Sequence, residues 1–113
     1  MIKNIGNAEH YQWGQVCEGW RLLDRVDLSV IQERVTAGAG EVRHRHTKAR
    51  QLFVVLSGQL TIETGDALFR LVAGDALEVP PGEPHVARND SKAEVAFLVI
   101  SAPSTKNDRE NLG

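Results

Sequence analysis

The chain has 113 residues, 42% of them apolar and 25% charged, with a formal net charge of -2. That size supports one domain with a real core and excludes two, and the composition excludes a disordered chain. Acids and bases are spread along the sequence, so neither a nucleic-acid footprint nor a polybasic membrane patch is present.

A single cysteine, Cys17, excludes an intrachain disulfide and reads as a small apolar core residue. Met1 to Asn7 lacks the apolar core of a signal peptide, and no apolar run reaches membrane-spanning length. The expectation is a soluble, cytoplasmic protein.

Residues 1–12 are mixed and polar-leaning. Trp13-Gly14-Gln15-Val16-Cys17-Glu18-Gly19-Trp20 reads as a short extended run, and Trp20 to Leu23 as another strand. Leu28 to Val35 is a strand with both faces partly covered: Leu28, Val30, Gln32 and Arg34 share one face, Ile31, Glu33 and Val35 the other. Thr36 to Gly40 is a glycine turn. The histidine stretch follows, then a strong strand, Gln51 to Leu56, ended by Ser57-Gly58. Gln59 to Glu63 and Ala67 to Leu71 form a hairpin about Thr64-Gly65-Asp66. After Ala73-Gly74-Asp75 comes Ala76 to Val79, stopped by Pro80-Pro81-Gly82, whose prolines cannot donate to a sheet ladder. His85 to Asn89 and Ala93 to Ser101 are the last strands, with a turn from Asn89 to Lys92 between them. The polar tail from Pro103 to Gly113 is expected either to form one helical turn or to stay loose. Short strands at regular turn signals mean an all-β sandwich or barrel.

The chemistry centres on His44-Arg45-His46. In an extended chain the two imidazoles project from one face and make a ready pair of metal ligands. Alone, such a pair is better read as two surface histidines in a polar strand. Its context decides. Gly38 is followed by five residues, His44-Arg45-His46, four residues, Gln51, six residues and Gly58. Gly74 is followed by five residues, Pro80-Pro81-Gly82, two residues, His85, three residues and Asn89.

On these two motifs the chain resembles a small single-domain cupin of the conserved-barrel type, over about Leu28 to Ser101. The resemblance implies an all-β, double-stranded β-helix (jelly-roll) barrel. Its organisation would be an N-terminal arm with strands (1–27), a barrel core (28–102) and a polar tail (103–113). It also implies a metal site made of His44, His46 and His85, with Gln51 where the family places a glutamate. Five steps separate His46 from Gln51, an odd number, so the bend at Thr47 to Arg50 must reset the strand phase for Gln51 to face inward. Pro80-Pro81-Gly82 would act as a rigid corner delivering His85 to the barrel mouth.

Three imidazoles and an amide oxygen suit a divalent transition metal (iron, nickel, zinc, manganese or copper) better than magnesium or calcium. Glutamine is neutral, so either it binds loosely or the site is effectively three histidines. The metal's charge is then left uncompensated and favours a small anionic substrate. Phe53 shares the phase of Gln51 and is a pocket candidate. Gln32 and Arg34 are candidates if their face is the inner one, and Arg34 would then anchor a substrate carboxylate. Arg43 and Arg45 face away from the site, Asn89 orders a turn, and His10 is a surface histidine. Tyr11, Trp13 and Trp20 are core, lid or dimer residues.

The function expected is a metal-dependent enzyme, with dioxygenase-like, isomerase or lyase chemistry. The alternative is a non-catalytic binding or sensing module, which the lack of an identifiable acid–base group beside the histidines supports. A homodimer is expected, since a single barrel of this size leaves sheet edges to cover.

Overall fold

A computed structural model describes residues 1–14 and 16–113. The described chain forms eleven β-strands and no helix. They are β1 (Glu9–Trp13), β2 (Cys17–Asp24), β3 (Ser29–Val35), β4 (His44–Arg45), β5 (Arg50–Ser57), β6 (Gln59–Glu63), β7 (Leu68–Val72), β8 (Ala76–Val79), β9 (Val86–Arg88), β10 (Val95–Ala102) and β11 (Glu110–Asn111). No helix among the described residues is long and apolar enough to cross a membrane.

One sheet has six strands in the order β1-β2-β3-β10-β5-β8, every pairing antiparallel. Facing it are the three-stranded sheet β7-β6-β9 and the pair β11-β4. Isolated bridges Gly40↔Arg88 and His44↔His85 join β9 to the histidine stretch, so the smaller layer continues into β4 and β11. This is the all-β double-stranded barrel that the two motifs imply.

Alternation sets which residues meet between the layers. On β10, Val95, Phe97, Val99 and Ser101 are buried while Ala96, Leu98 and Ile100 are half-buried on the outer face. Gln51, Phe53 and Val55 of β5 point inward with them. Leu60, Ile62, Leu71 and Ala87 close the core from the smaller layer, and Cys17 joins it as the sequence suggests. Burying side chains of this size stabilises the fold by roughly 1.5–3 kcal/mol each.

The turn at Gly58 carries a backbone requirement. Its φ is 80°, and a Cβ there would lie 2.5 Å from the Glu94 carbonyl oxygen, so only glycine fits between β5 and β6. Asn89 orders its turn as expected: its amide donates to the Val35 and Ala93 carbonyls, and its oxygen accepts from Ser91.

Two expectations are corrected. The run Trp13 to Trp20 is not one extended segment: the chain turns at Gly14 and Val16, so that Trp13 ends β1, which starts at Glu9, and pairs with Cys17, which opens β2, and β2 passes unbroken through Gly19. Gly19 does not end the strand because the Tyr11 ring occupies the space a Cβ would need. Gln15, inside the expected run Trp13 to Trp20, lies outside the described residues. The tail is neither helical nor loose. Glu110 and Asn111 pair with Arg45 and His44, and Leu112 N–H donates to the Arg43 carbonyl at 2.8 Å.

Candidate metal centre

His44 and His46 sit two residues apart on one extended stretch and so project from the same side. His85 is placed opposite by the backbone itself. His44 N–H donates to the His85 carbonyl (3.1 Å) and His85 N–H to the His44 carbonyl (2.9 Å). The Pro80-Pro81-Gly82 corner is pinned where it must be: Gly82 N–H donates to the His46 carbonyl at 2.7 Å, with Gly82 at φ 82°. Ring centroids are 4.4 Å apart for His44 and His85, 4.9 Å for His44 and His46, and 5.6 Å for His46 and His85.

Each imidazole is oriented the same way. Nδ1–H of His44 donates to the Val42 carbonyl (2.7 Å), that of His46 to the Asp108 carbonyl (2.6 Å), and that of His85 to the Glu83 carbonyl (2.9 Å). This selects the tautomer whose Nε2 carries the free lone pair, the arrangement of metal-binding histidines. One ligand nitrogen from each of the three lies within 4.8 Å of the others. All three are buried, at 2%, 5% and 1% exposure. Burial lowers the pKa of each, that of His44 to about 3, because a charged imidazole would be desolvated; the carbonyl acceptors only partly oppose this. The cluster is therefore neutral at physiological pH and ready to donate.

Gln51 comes from the opposite sheet. The chain crosses from one layer to the other between β4 and β5, and this crossing resets the phase, so Gln51 is buried and lines the same cavity as His44 and His46. Its Nε2 donates to Ser101 Oγ at 3.2 Å. Its Oε1 and His85 Nε2 are buried side-chain atoms with no hydrogen-bond partner among the described residues. Leaving such atoms unpaired costs about 1–3 kcal/mol each, and a divalent cation is a group that would satisfy both. The donor set fits a transition metal.

The cavity beside the histidines holds about 110 Å3. Phe53 lines it together with Ile31 and Val99. Arg34 does not. It lies on the outer face of β3, with Nη2 donating to Glu18 at 2.6 Å and its guanidinium 5.2 Å from the Trp20 ring. The inner face of β3 is that of Ile31, Glu33 and Val35, because Ile31 is paired with inward-facing Val99. His10 lies on the surface, bonded to Glu18 and stacked near Trp20. Arg45 points away and pairs with Glu110.

Three charged residues also line the cavity and were not singled out for it from the sequence. Glu41 approaches His44, with 3.8 Å between its Oε1 and Nε2, and accepts the Ala87 N–H at 3.1 Å. Glu33 stands on the facing wall. Desolvation raises both carboxyls, Glu33 to about 8 with Glu41's charge adding to it, and Glu41 to about 7 against the pull of Arg109 and the Ala87 N–H. The third is Arg109, from the tail. Glu33 could have been found from its place between two β-branched aliphatics, Ile31 and Val35. Glu41 lay inside the first motif but was passed over for the histidines. Arg109 had no local signal.

The Cupin domain family matches residues 31–101. An uncharacterized protein of Methanocaldococcus jannaschii is 24% identical over 78 residues, which are 69% of this chain and 62% of that protein. A sugar phosphate isomerase of the cupin superfamily from Silicibacter pomeroyi superposes with a TM-score of 0.80 at 20% identity, covering 92% of this chain and 76% of that one. A predicted oxalate decarboxylase from Thermotoga maritima superposes with a TM-score of 0.83 at 16% identity, covering 92% and 100%. At these identities the likeness to solved structures is one of fold.

Proposed function

Because this chain belongs to the cupin family, we propose that it is a metal-dependent enzyme acting on a small anionic substrate. In this reading His44, His46 and His85 hold a divalent transition metal and Gln51 adds a weak neutral donor. The observation that carries it is the shared orientation of the three imidazoles, each Nδ1–H spent on a backbone carbonyl and each Nε2 left free in the same small space. When bound, such a metal supplies a Lewis acid that polarises a substrate oxygen.

The chain's own residues supply the rest. Phe53, Ile31 and Val99 keep water from the substrate's reacting end. Glu33 and Glu41 are the carboxyls in the cavity wall and are placed to hold or move a proton beside the substrate. Two proton carriers beside the histidines favour isomerase, decarboxylase or lyase chemistry over dioxygenation. They also answer one support for a non-catalytic binding module, the lack of an acid–base group, while the short chain and the missing acidic ligand still favour that alternative. The names sugar phosphate isomerase and predicted oxalate decarboxylase point to anionic substrates in those proteins, so the same fold is compatible with a small anion here.

Metal analysis of untagged protein, beside His44→Ala and His85→Ala, tests this. The parent should carry a divalent transition metal and each variant should lose at least about tenfold in affinity, the scale on which even supporting groups matter. A parent without metal that also takes none up when offered iron, nickel, zinc, manganese or copper sinks the reading. If metal is present, turnover of a panel of short carboxylic and sugar acids, with oxygen uptake followed in parallel, separates proton-transfer from oxidative chemistry.

A further inference from the structure

We propose that Arg109, carried into the cavity by the folded-back C-terminal strand, is the anchor for the carboxylate end of the substrate; this rests on the metal-dependent reading above and names the chemistry its substrate must present.

The position of Arg109 is built, not incidental. Asp108 immediately before it accepts three backbone N–H groups, from Thr47 (2.8 Å), Lys48 (3.0 Å) and Ala49 (2.9 Å). The Asp108 carbonyl takes the Nδ1–H of His46. Immediately after it, Glu110 and Asn111 pair with Arg45 and His44. Arg109 thus sits between two locked neighbours, and its Nε donates to Asn111 Oδ1 at 2.9 Å, which orients the guanidinium.

Its side chain lies at the cavity mouth, 42% exposed, and its terminal nitrogens make no hydrogen bond to another described residue. The nearest carboxylate, Glu41 Oε2, is 3.9 Å from Nη1, too far for a hydrogen bond. A group present only to neutralise Glu41 would sit in contact with it, as Arg34 does with Glu18 and Arg45 with Glu110, both at 2.6 Å. Arg109 is also the only Lys or Arg lining this cavity among the described residues. It shares this cavity with His44, His46, Gln51 and both carboxyls. A planar guanidinium with two free terminal nitrogens matches a carboxylate bidentately. The cavity is small, about 110 Å3, which suits a short-chain carboxylate.

The test is calorimetric titration of malonate, and of uncharged malonamide, into cobalt-loaded and metal-free parent, Arg109→Gln and Arg109→Lys proteins. Cobalt uptake is measured first. Arg109→Gln should bind cobalt as tightly as the parent or more tightly, since a nearby positive charge is gone, and should lose about 10- to 100-fold in malonate affinity, the range of a charge-assisted hydrogen bond. Malonamide binding should be the same in parent and variants, and Arg109→Lys should recover part of the malonate affinity. Undiminished malonate binding by Arg109→Gln overturns the proposal. So does parallel loss of malonate, malonamide and cobalt, which would mark Arg109 as a latch of the strand. Should no protein take up cobalt or any of the metals named above, the metal reading fails by itself, and malonate binding to the metal-free proteins then decides for or against Arg109 on the same criterion.

Discussion

At the scale of single residues, Gln51 sets the charge of the centre. A carboxylate in its place would sit among three neutral imidazoles and face the cation directly. Two unit charges about 4 Å apart at an effective dielectric of 20 interact by about 4 kcal/mol. Gln51→Glu is therefore expected to tighten binding of a divalent metal by about tenfold or more, measured by competition with a chelator of known affinity. The same substitution should weaken binding of a small anion at the loaded site, because the charge left for the ligand falls by one. Unchanged metal affinity would mean that residue 51 does not reach the ion. The spacing Gly38, His44, His46, Gln51, Gly58 makes this position visible in the sequence; whether its amide oxygen is free is a matter of what surrounds it, and here nothing among the described residues pairs with Oε1.

At the scale of elements, the C-terminal tail that ends in β11 is part of the site's wall, through Thr105 and Arg109. It contributes no ligand, yet just before β11 it holds His46 by the Asp108 carbonyl and the β4–β5 crossing by the Asp108 carboxylate. Asp108→Ala would leave three N–H groups without that acceptor, at a cost of about 1–3 kcal/mol where they stay shielded from water. The expected outcome is a tail that proteases cut between residues 103 and 113 while the barrel survives. Metal affinity should drop about 10- to 100-fold as His46 loses its fixed orientation. Limited proteolysis with mass spectrometry and a parallel metal titration check both parts. A variant whose tail resists cleavage and whose metal affinity is unchanged would show that pairing of β11 with β4 suffices.

At the scale of the whole molecule, stability is squeezed from two sides of the pH range by groups the barrel buries. His44 titrates at about 3 in the fold against an ordinary 6.5, so the unfolded chain binds the extra proton between those values. Stability of the metal-free protein therefore falls as pH drops through that window. Glu33 does the opposite. Its folded value is raised from 4.5 to about 8, so the folded chain keeps a proton that the unfolded chain releases. That contribution is lost as pH rises from 4.5 to about 8. Glu33→Gln should then melt about 4–8 °C above the parent near pH 9, the shift that roughly 1 kcal/mol produces in a domain of this size. It should gain nothing near pH 4. Thermal unfolding of chelator-treated proteins at the two pH values measures it, and an equal gain at both would trace the effect to packing instead.

The sequence by itself determined whatever is set locally. Glycines that need positive φ, a Pro-Pro-Gly corner that cannot extend a ladder, and histidines two apart on an extended chain carry their geometry with them. Hence an all-β fold and the pairing of His44 with His46 on one face were legible from local pattern, while the jelly-roll barrel and the place of His85 beside them were what the resemblance to cupins implied. Tertiary structure decided what local alternation leaves symmetric. On β3 the pattern separates Gln32 and Arg34 from Ile31 and Glu33 but says nothing about which set faces the cavity. The pairing of Ile31 with Val99 chose Glu33 and turned Arg34 outward. The tail was further out of reach. Its polar residues have no periodicity, and Arg109 acquires its place only because Asp108 finds three amides about 60 residues earlier in the chain. Strand phase is written in neighbouring residues; the choice of face and the docking of a polar strand depend on partners distant in sequence.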